Sequence, residues 1–258
     1  MNDVAQLKPK LLRLKLSGIL ETLEQRMAQA MEEKQEYSQF LLNLLTDEVE
    51  RRDNKQLSRR LGRSGLNPEK TLASFDFQFN KKIHKPTIRE LCTCNFLVEK
   101  RNLFFVGPSG VGKTHLSQAI GNEACLKNID VLYRGTHELL QWIHSGRADG
   151  SAEKRMATVK TIPLLILDDF GLRPLSEANQ TDLYDLISSR YERLATILTS
   201  NRDFAEWQQV FTNPLMGSAA MDRLVHRAIK ISIEGESYRM NSFIASTKSL
   251  TKGVEALP

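Results

Sequence analysis

The sequence predicts an α/β fold, with a mainly parallel sheet flanked by helices and a small all-helical domain in front of it. Three observations carry this reading. Short apolar runs alternate with amphipathic helical patterns from about residue 100 to 200. The first 65 residues have almost no strand signal, and a glycine-rich segment joins the first apolar run to the helix after it. At 258 residues the chain can bury a sizeable core as one large domain or two small ones.

Taken in order, Leu7, Leu11, Leu14 and Leu16 begin a helical pattern, with Pro9 suited to a first turn. Ser17-Gly18 marks a break before Ile19, Leu20, Leu23 and Met27. Ser38 reads as an N-cap, with Tyr37 and Leu42 placed for a hydrophobic staple. Phe40, Leu41, Leu44, Leu45 and Val49 form an apolar stripe, so two or three helices end near Arg63-Ser64-Gly65. Asn67-Pro68 is a turn. The expected organisation is a helical domain over 1–66, an α/β domain over 67–247 and a flexible tail over 248–258. Within the second domain, Leu103–Val106 reads as a buried parallel strand bounded by Gly107-Pro108, followed by a helix from Lys113 to about Leu126. Strands over 129–133, 164–167 and 196–199 then alternate with helices over 138–143 and 177–193.

Composition narrows the setting. No apolar run approaches the roughly 20 residues of a membrane span, and the leucines of the N-terminus are interrupted by charges, unlike a signal peptide. A secreted or membrane-spanning protein is therefore not expected. Three cysteines, Cys92, Cys94 and Cys125, make no disulfide framework and fit a reducing cytosol, and Cys92-x-Cys94 lacks the second pair of a zinc site. The five histidines show no metal spacing and read as structural. The net charge of +5 is mild, but the basic residues cluster. Arg51, Arg52, Lys55, Arg59, Arg60 and Arg63 stand against the single Asp53, and Lys81, Lys82, Lys85 and Arg89 follow. Such a run is either a solvated helix face or a surface for phosphates.

The strongest chemical signal is Gly107-Pro108-Ser109-Gly110-Val111-Gly112-Lys113-Thr114, a full match to G-x-x-x-x-G-K-[ST]. Small residues let the loop wrap a phosphate with backbone N–H groups pointing inward, at the positive end of the next helix. Lys113 is placed to reach the β- and γ-phosphates of a nucleoside triphosphate and the Thr114 hydroxyl to ligate Mg²⁺. The apolar run 164–167 ends in Asp168-Asp169. Asp168 is the candidate to hold Mg²⁺, and Asp169 the candidate to orient or deprotonate the attacking water. Ser200-Asn201 ends the next strand, where a neutral amide could position the same water.

These motifs resemble a known family. Gly107–Thr114, Leu164–Asp169 with Phe170-Gly171, Arg190-Tyr191-Glu192, Thr199-Ser200-Asn201, Asp222-Arg223-Leu224 and Gly235-Glu236-Ser237-Tyr238-Arg239 fall in the order seen in IstB-like ATPases. These are the transposition helpers of insertion sequences and relatives of the helicase loader DnaC. The resemblance covers essentially the whole chain. It implies an AAA+ P-loop NTPase fold, ATP and Mg²⁺ as cofactors, self-association into a multi-subunit assembly on duplex DNA, and a transposase partner in a bacterial cytoplasm at the nucleoid. It makes Asn201 a sensor of the γ-phosphate, Arg223 a finger supplied to a neighbour's ATP, and Arg239 a phosphate sensor. Asp169 stands where the wider AAA+ class has Glu, as is normal for the IstB and DnaC relatives. Phe75, Phe77 and Phe79 alternate like a strand edge, fitting either core packing or, by the resemblance, an adenine platform. Residues 147–160, with Lys154, Arg155 and Lys160, are either a solvated helix or the counterpart of an insertion that faces DNA in initiator-type relatives.

Four functions remain at this point. The first is an ATPase that assembles on duplex DNA and recruits or activates a transposase. A helicase loader shares its chemistry but acts on single strands. A nucleotide-gated DNA adaptor with little hydrolysis follows from the shorter Asp169, and a small-molecule P-loop kinase is the most distant.

Overall fold

The computed structural model describes residues 2–241 and 243, and the tail expected over 248–258 lies outside them. The chain divides into two compact units, residues 1–60 and the residues from 61 onward.

The first unit is built on helices α1 (Asn2–Arg13), α2 (Ser17–Glu32) and the greater part of α3 (Tyr37–Ser64). Ile19, Leu23 and Leu44 form its core, with Leu11, Leu16, Met27 and Phe40 packed around them. Three local expectations fail here. Pro9 lies inside α1 rather than in its first turn. Ser17 and Gly18 open α2, and the break falls on the preceding residues, where Lys15 takes a positive φ of 57°. Gly18 is needed for packing instead: a Cβ there would come 2.7 Å from the Glu48 backbone. Finally, α3 starts at Tyr37, which is exposed together with Leu42, so no staple forms. Of the expected stripe on α3, only Phe40 and Leu44 join the core, while Leu41, Leu45 and Val49 are exposed.

The cap of α2 comes from α3. Glu48 is buried, and its Oε2 accepts the N–H groups of Gly18 (2.6 Å) and Ile19 (3.3 Å) while Oε1 accepts from Arg52 (2.6 Å). A carboxylate at a helix N-terminus meets unpaired donors and the positive end of the dipole. Burial alone would raise the Glu48 pKa, but these partners together hold it below its usual value. Arg51 likewise forks onto Glu21, with both bonds at 2.9 Å, and bonds the Ser17 hydroxyl.

In the second unit a five-stranded, all-parallel sheet is flanked by helices. Its strands are β1 (Leu103–Val106), β2 (Val131–Gly135), β3 (Leu164–Asp168), β4 (Ala195–Ser200) and β5 (Ile229–Ser232), in the order β2-β3-β4-β1-β5. β1, β3 and β4 are buried throughout; β1 and Leu164–Leu167 of β3 are continuous apolar runs, as a doubly covered sheet favours, while β4 buries Thr196, Thr199 and Ser200 beside Ile197 and Leu198. The fifth strand was not expected. Ile229-Lys230-Ile231-Ser232 alternates half-buried and exposed residues because it is an edge strand, and only its pairing with β1 distinguishes it from a polar tail. Helices α4 (Lys85–Leu91) and α5 (Asn95–Val98) precede the sheet, and α6 (Lys113–Leu126) follows β1 directly. The others are α7 (Thr136–Ser145), α8 (Ala152–Thr161), α9 (Glu177–Arg190) and α10 (Pro214–Val225), with a 3-10 helix over Phe204–Val210.

Two buried polar side chains knit this layer together. Trp207, fully buried, donates its indole N–H to the Ser200 hydroxyl at 3.1 Å and packs against Phe104 and Phe170. Arg190 spends its guanidinium on the carbonyls of Val159, Ile162 and Ala195 and on the Thr196 hydroxyl, at 2.5–3.0 Å. Burial pulls its pKa down to about 9. The Arg190-Tyr191-Glu192 motif thus begins with a residue that ties the end of α8 to β4.

Candidate nucleotide-binding site

Parallel strands bring their C-terminal ends to one edge, the place where open α/β sheets bind ligands. Here β1 delivers Gly107–Thr114, β3 delivers Asp168 and Asp169, and β4 delivers Asn201. In register, Val106 of β1 lies beside Ser200 of β4 and Ser232 of β5. Ser109–Thr114, Asp168, Asp169 and Asn201 line one cleft of about 800 Å³, together with Phe75, Phe79, Leu172, Tyr238 and Arg239. The sequence-predicted nucleotide residues therefore converge in space.

The loop over 107–112 needs its glycines. Gly110 and Gly112 have φ of +83° and +99°, which L side chains rarely adopt. A Cβ on Gly112 would lie 2.6 Å from the Phe75 ring, and one on Gly110 would lie 2.1 Å from the Ser237 hydroxyl. The loop is thus clasped from two sides. The Tyr238 N–H donates to the Gly110 carbonyl at 3.0 Å, and Phe79 meets Tyr238 edge to face at 5.0 Å. Phe75, Phe77 and Phe79 do not form a strand edge. They lie in turns, with the Asp76 carboxylate accepting the N–H groups of Gln78 and Phe79. Their alternation reflects alternate burial without a ladder: Phe75 packs on Phe77 and His115, and Lys85 stands over Phe77.

Lys113 is buried at the start of α6, and its Nζ donates to the carbonyls of Gly107 (2.7 Å) and Pro108 (2.6 Å). Burial pulls its pKa down to about 8, against the opposing attraction of Asp169 and Asp168. Thr114 donates its hydroxyl to Asp168 Oδ1 at 2.9 Å. Asp168 is buried and takes further hydroxyl donors, Thr199 at Oδ1 and Tyr133 at Oδ2 (2.7 Å). Asp169 has a φ of 54°, and its N–H is anchored on the Thr199 hydroxyl at 3.1 Å. Its carboxyl pKa is raised by partial desolvation in the cleft and by Asp168, with Lys113 and Arg239 opposing. The glycine cradle, the central cation and the hydroxyl–carboxylate pair Thr114–Asp168 fit a nucleoside triphosphate with Mg²⁺.

Other candidates fall elsewhere. Arg223, on α10, is outside the residues that line the cleft; it stacks over Tyr184 at 5.2 Å and donates to the Tyr184 hydroxyl (3.0 Å) and the Ala219 carbonyl (3.1 Å). Among the basic residues, Arg51 and Arg52 are committed to Glu21 and Glu48, whereas Lys55, Arg59 and Arg63 are exposed and Arg60 is half-buried. Arg155 is pinned to the Trp142 carbonyl, Ser145 and Asp149 and stacks on Trp142, which makes it a scaffold residue beside the exposed Lys154. All three cysteines are buried; burial pushes Cys92 up to about 12 and Cys94 to about 11. Tyr133 was missed by sequence reading, since nothing local marks a strand tyrosine as a neighbour of Asp168.

Fold and site define a P-loop NTPase of the AAA+ type. The chain belongs to the family described as IstB-like ATP binding protein, which it matches over residues 9–246. An insertion-sequence protein of Mycobacterium tuberculosis (strain ATCC 25618 / H37Rv), named for ATP binding, is 36% identical over 234 residues, covering 90% of this chain and 93% of that one. Further relatives carry similar names from other insertion sequences. Among solved structures, the replication initiator DnaA bound to AMPPCP and single-stranded DNA is similar with a TM-score of 0.57 and 25% identity, over 73% of this chain and 57% of that one. The DnaC helicase loader is similar with a TM-score of 0.51 and 25% identity, over 61% of this chain and 97% of that one. Among the described residues, no helix is long and apolar enough to cross a membrane.

Proposed function

We propose that this protein is a Mg²⁺-dependent ATPase that assembles on duplex DNA and recruits or activates the transposase of its insertion sequence. The observation that carries the reading is the convergence of Lys113, Thr114, Asp168, Asp169 and Asn201 in one cleft, in a chain whose relatives are insertion-sequence proteins named for ATP binding. In this reading Lys113 leaves the loop carbonyls for the β- and γ-phosphates. Thr114 and Asp168 would hold Mg²⁺, which when bound neutralises phosphate charge. Asp169 orients the attacking water and accepts its proton, and Asn201 and Arg239 stand at the γ-phosphate end. Phe75, Phe79 and Tyr238 supply the aromatic wall for the base.

Arg223 lies off its own cleft, which favours action in trans on a neighbour's γ-phosphate. Arg223→Ala is expected to bind ATP normally and hydrolyse it poorly. Mixing it with Lys113→Ala should restore activity, because a mixed interface regains one complete site. Rates no higher than the sum of the two separate variants, with co-assembly verified by sedimentation, would exclude the trans role.

Residues 1–66 serve assembly and DNA contact in this reading, and 67–247 serve ATP hydrolysis. Lys55, Arg59 and Arg63 recur at four-residue spacing on the exposed end of α3 and carry no companion motif for base edges. Replacing Lys55 and Arg59 with Glu should weaken duplex binding alike across sequences and reduce the slope of log affinity against log salt by about two. Unchanged affinity at low salt would move the DNA surface toward Lys154. The likeness to DnaC favours a second reading, a helicase loader acting on single strands.

A further inference from the structure

Asp168 has three side-chain hydroxyl donors on one carboxylate, of which Thr114 belongs to the phosphate loop, Thr199 to β4 and Tyr133 to β2. Tyr133 is on β2, two residues before Gly135, the register partner of Asp168. Side chains two apart on a strand share a face, so the phenol stands on the same face of the sheet as the Asp168 side chain. Its hydroxyl donates to Oδ2 at 2.7 Å, the oxygen turned away from Thr114. Burial and the adjoining carboxylate push the phenol pKa up, which keeps the donor protonated. The Asp168 carboxylate thus joins Tyr133 of β2 at one oxygen to Thr114 of α6 at the other.

We propose that Tyr133 is a positioning residue for the metal-holding carboxylate. The inference rests on the reading of Asp168 and Thr114 as the Mg²⁺ site. A carboxylate anchored at one oxygen presents the other in a single direction, so Tyr133 keeps Oδ1 facing the Thr114 hydroxyl. Without it, Oδ2 is a buried acceptor stripped of its donor, and the carboxylate turns to find another. Partners of this kind tune a metal site without touching the metal.

The test is titration of MgCl₂ into the full-length protein with a fluorescent ATP analogue, read as nucleotide affinity rather than turnover. Tyr133→Phe keeps the ring and removes only the hydroxyl. It should require roughly tenfold more Mg²⁺ for the half-maximal gain in affinity, the scale of one lost charge-assisted hydrogen bond. Affinity in EDTA should match wild type. A Tyr133→Phe midpoint equal to wild type would overturn the proposal. So would an equal loss of affinity in EDTA, which would mark the hydroxyl as serving packing alone. A wild-type affinity that ignores Mg²⁺ would overturn the reading of Asp168 itself, and the positioning role with it.

Discussion

Lys113→Ala should lower affinity for ATP by about 100-fold, the worth of a buried cation with charge-assisted bonds to phosphate. The structure explains the size of the effect. The ammonium is buried beneath the loop and held on the Gly107 and Pro108 carbonyls, so it is already placed where the phosphates arrive. Alanine leaves the cradle of N–H groups intact but removes the lysine buried beneath it. Circular dichroism should show an unchanged fold, because the side chain packs against the loop and not in the sheet core. Calorimetric or filter binding at matched Mg²⁺ measures the loss directly.

Asp169→Asn should have the opposite profile. Binding should stay near wild type, while turnover falls by about 10²–10⁴, the range attributed to a positioned general base. The backbone of Asp169 is fixed independently of its carboxylate, by the bond from its N–H to Thr199 and by the next residue's N–H on the Thr199 carbonyl. The amide therefore keeps the place and loses only the charge. Equal ATP binding by the Lys113 and Asp169 variants would contradict this division of roles. Single-turnover hydrolysis separates chemistry from product release in the second variant.

What was legible in the sequence follows from what is contiguous in it. The phosphate loop reads directly because cradle, cation and hydroxyl occupy eight consecutive residues, and β1 and Leu164–Leu167 of β3 read directly because they are unbroken apolar runs buried on both faces. The edge strand β5 did not, since its Lys230 and Ser232 face outward and its identity depends on β1. Phe75, Phe77 and Phe79 gave a strand's period without a strand, because an Asx turn at Asp76 also alternates burial. Charge alone does not show which cations are paired: Arg51 reaches Glu21, thirty residues away, and Arg155 bonds Asp149 and stands over Trp142. Tyr133 and Asp168 are 35 residues apart and meet only through the register of β2 and β3.

The most direct test of ATP-gated assembly on duplex DNA uses Asp169→Asn, in which the ATP state should persist. The protein is sedimented with duplex or single-stranded DNA of equal length, in the presence of ATP, ADP or no nucleotide. Large complexes on the duplex with ATP, dissolving with ADP, are the predicted result. Sedimentation that ignores the nucleotide, or complexes that form preferentially on single strands, would contradict the account.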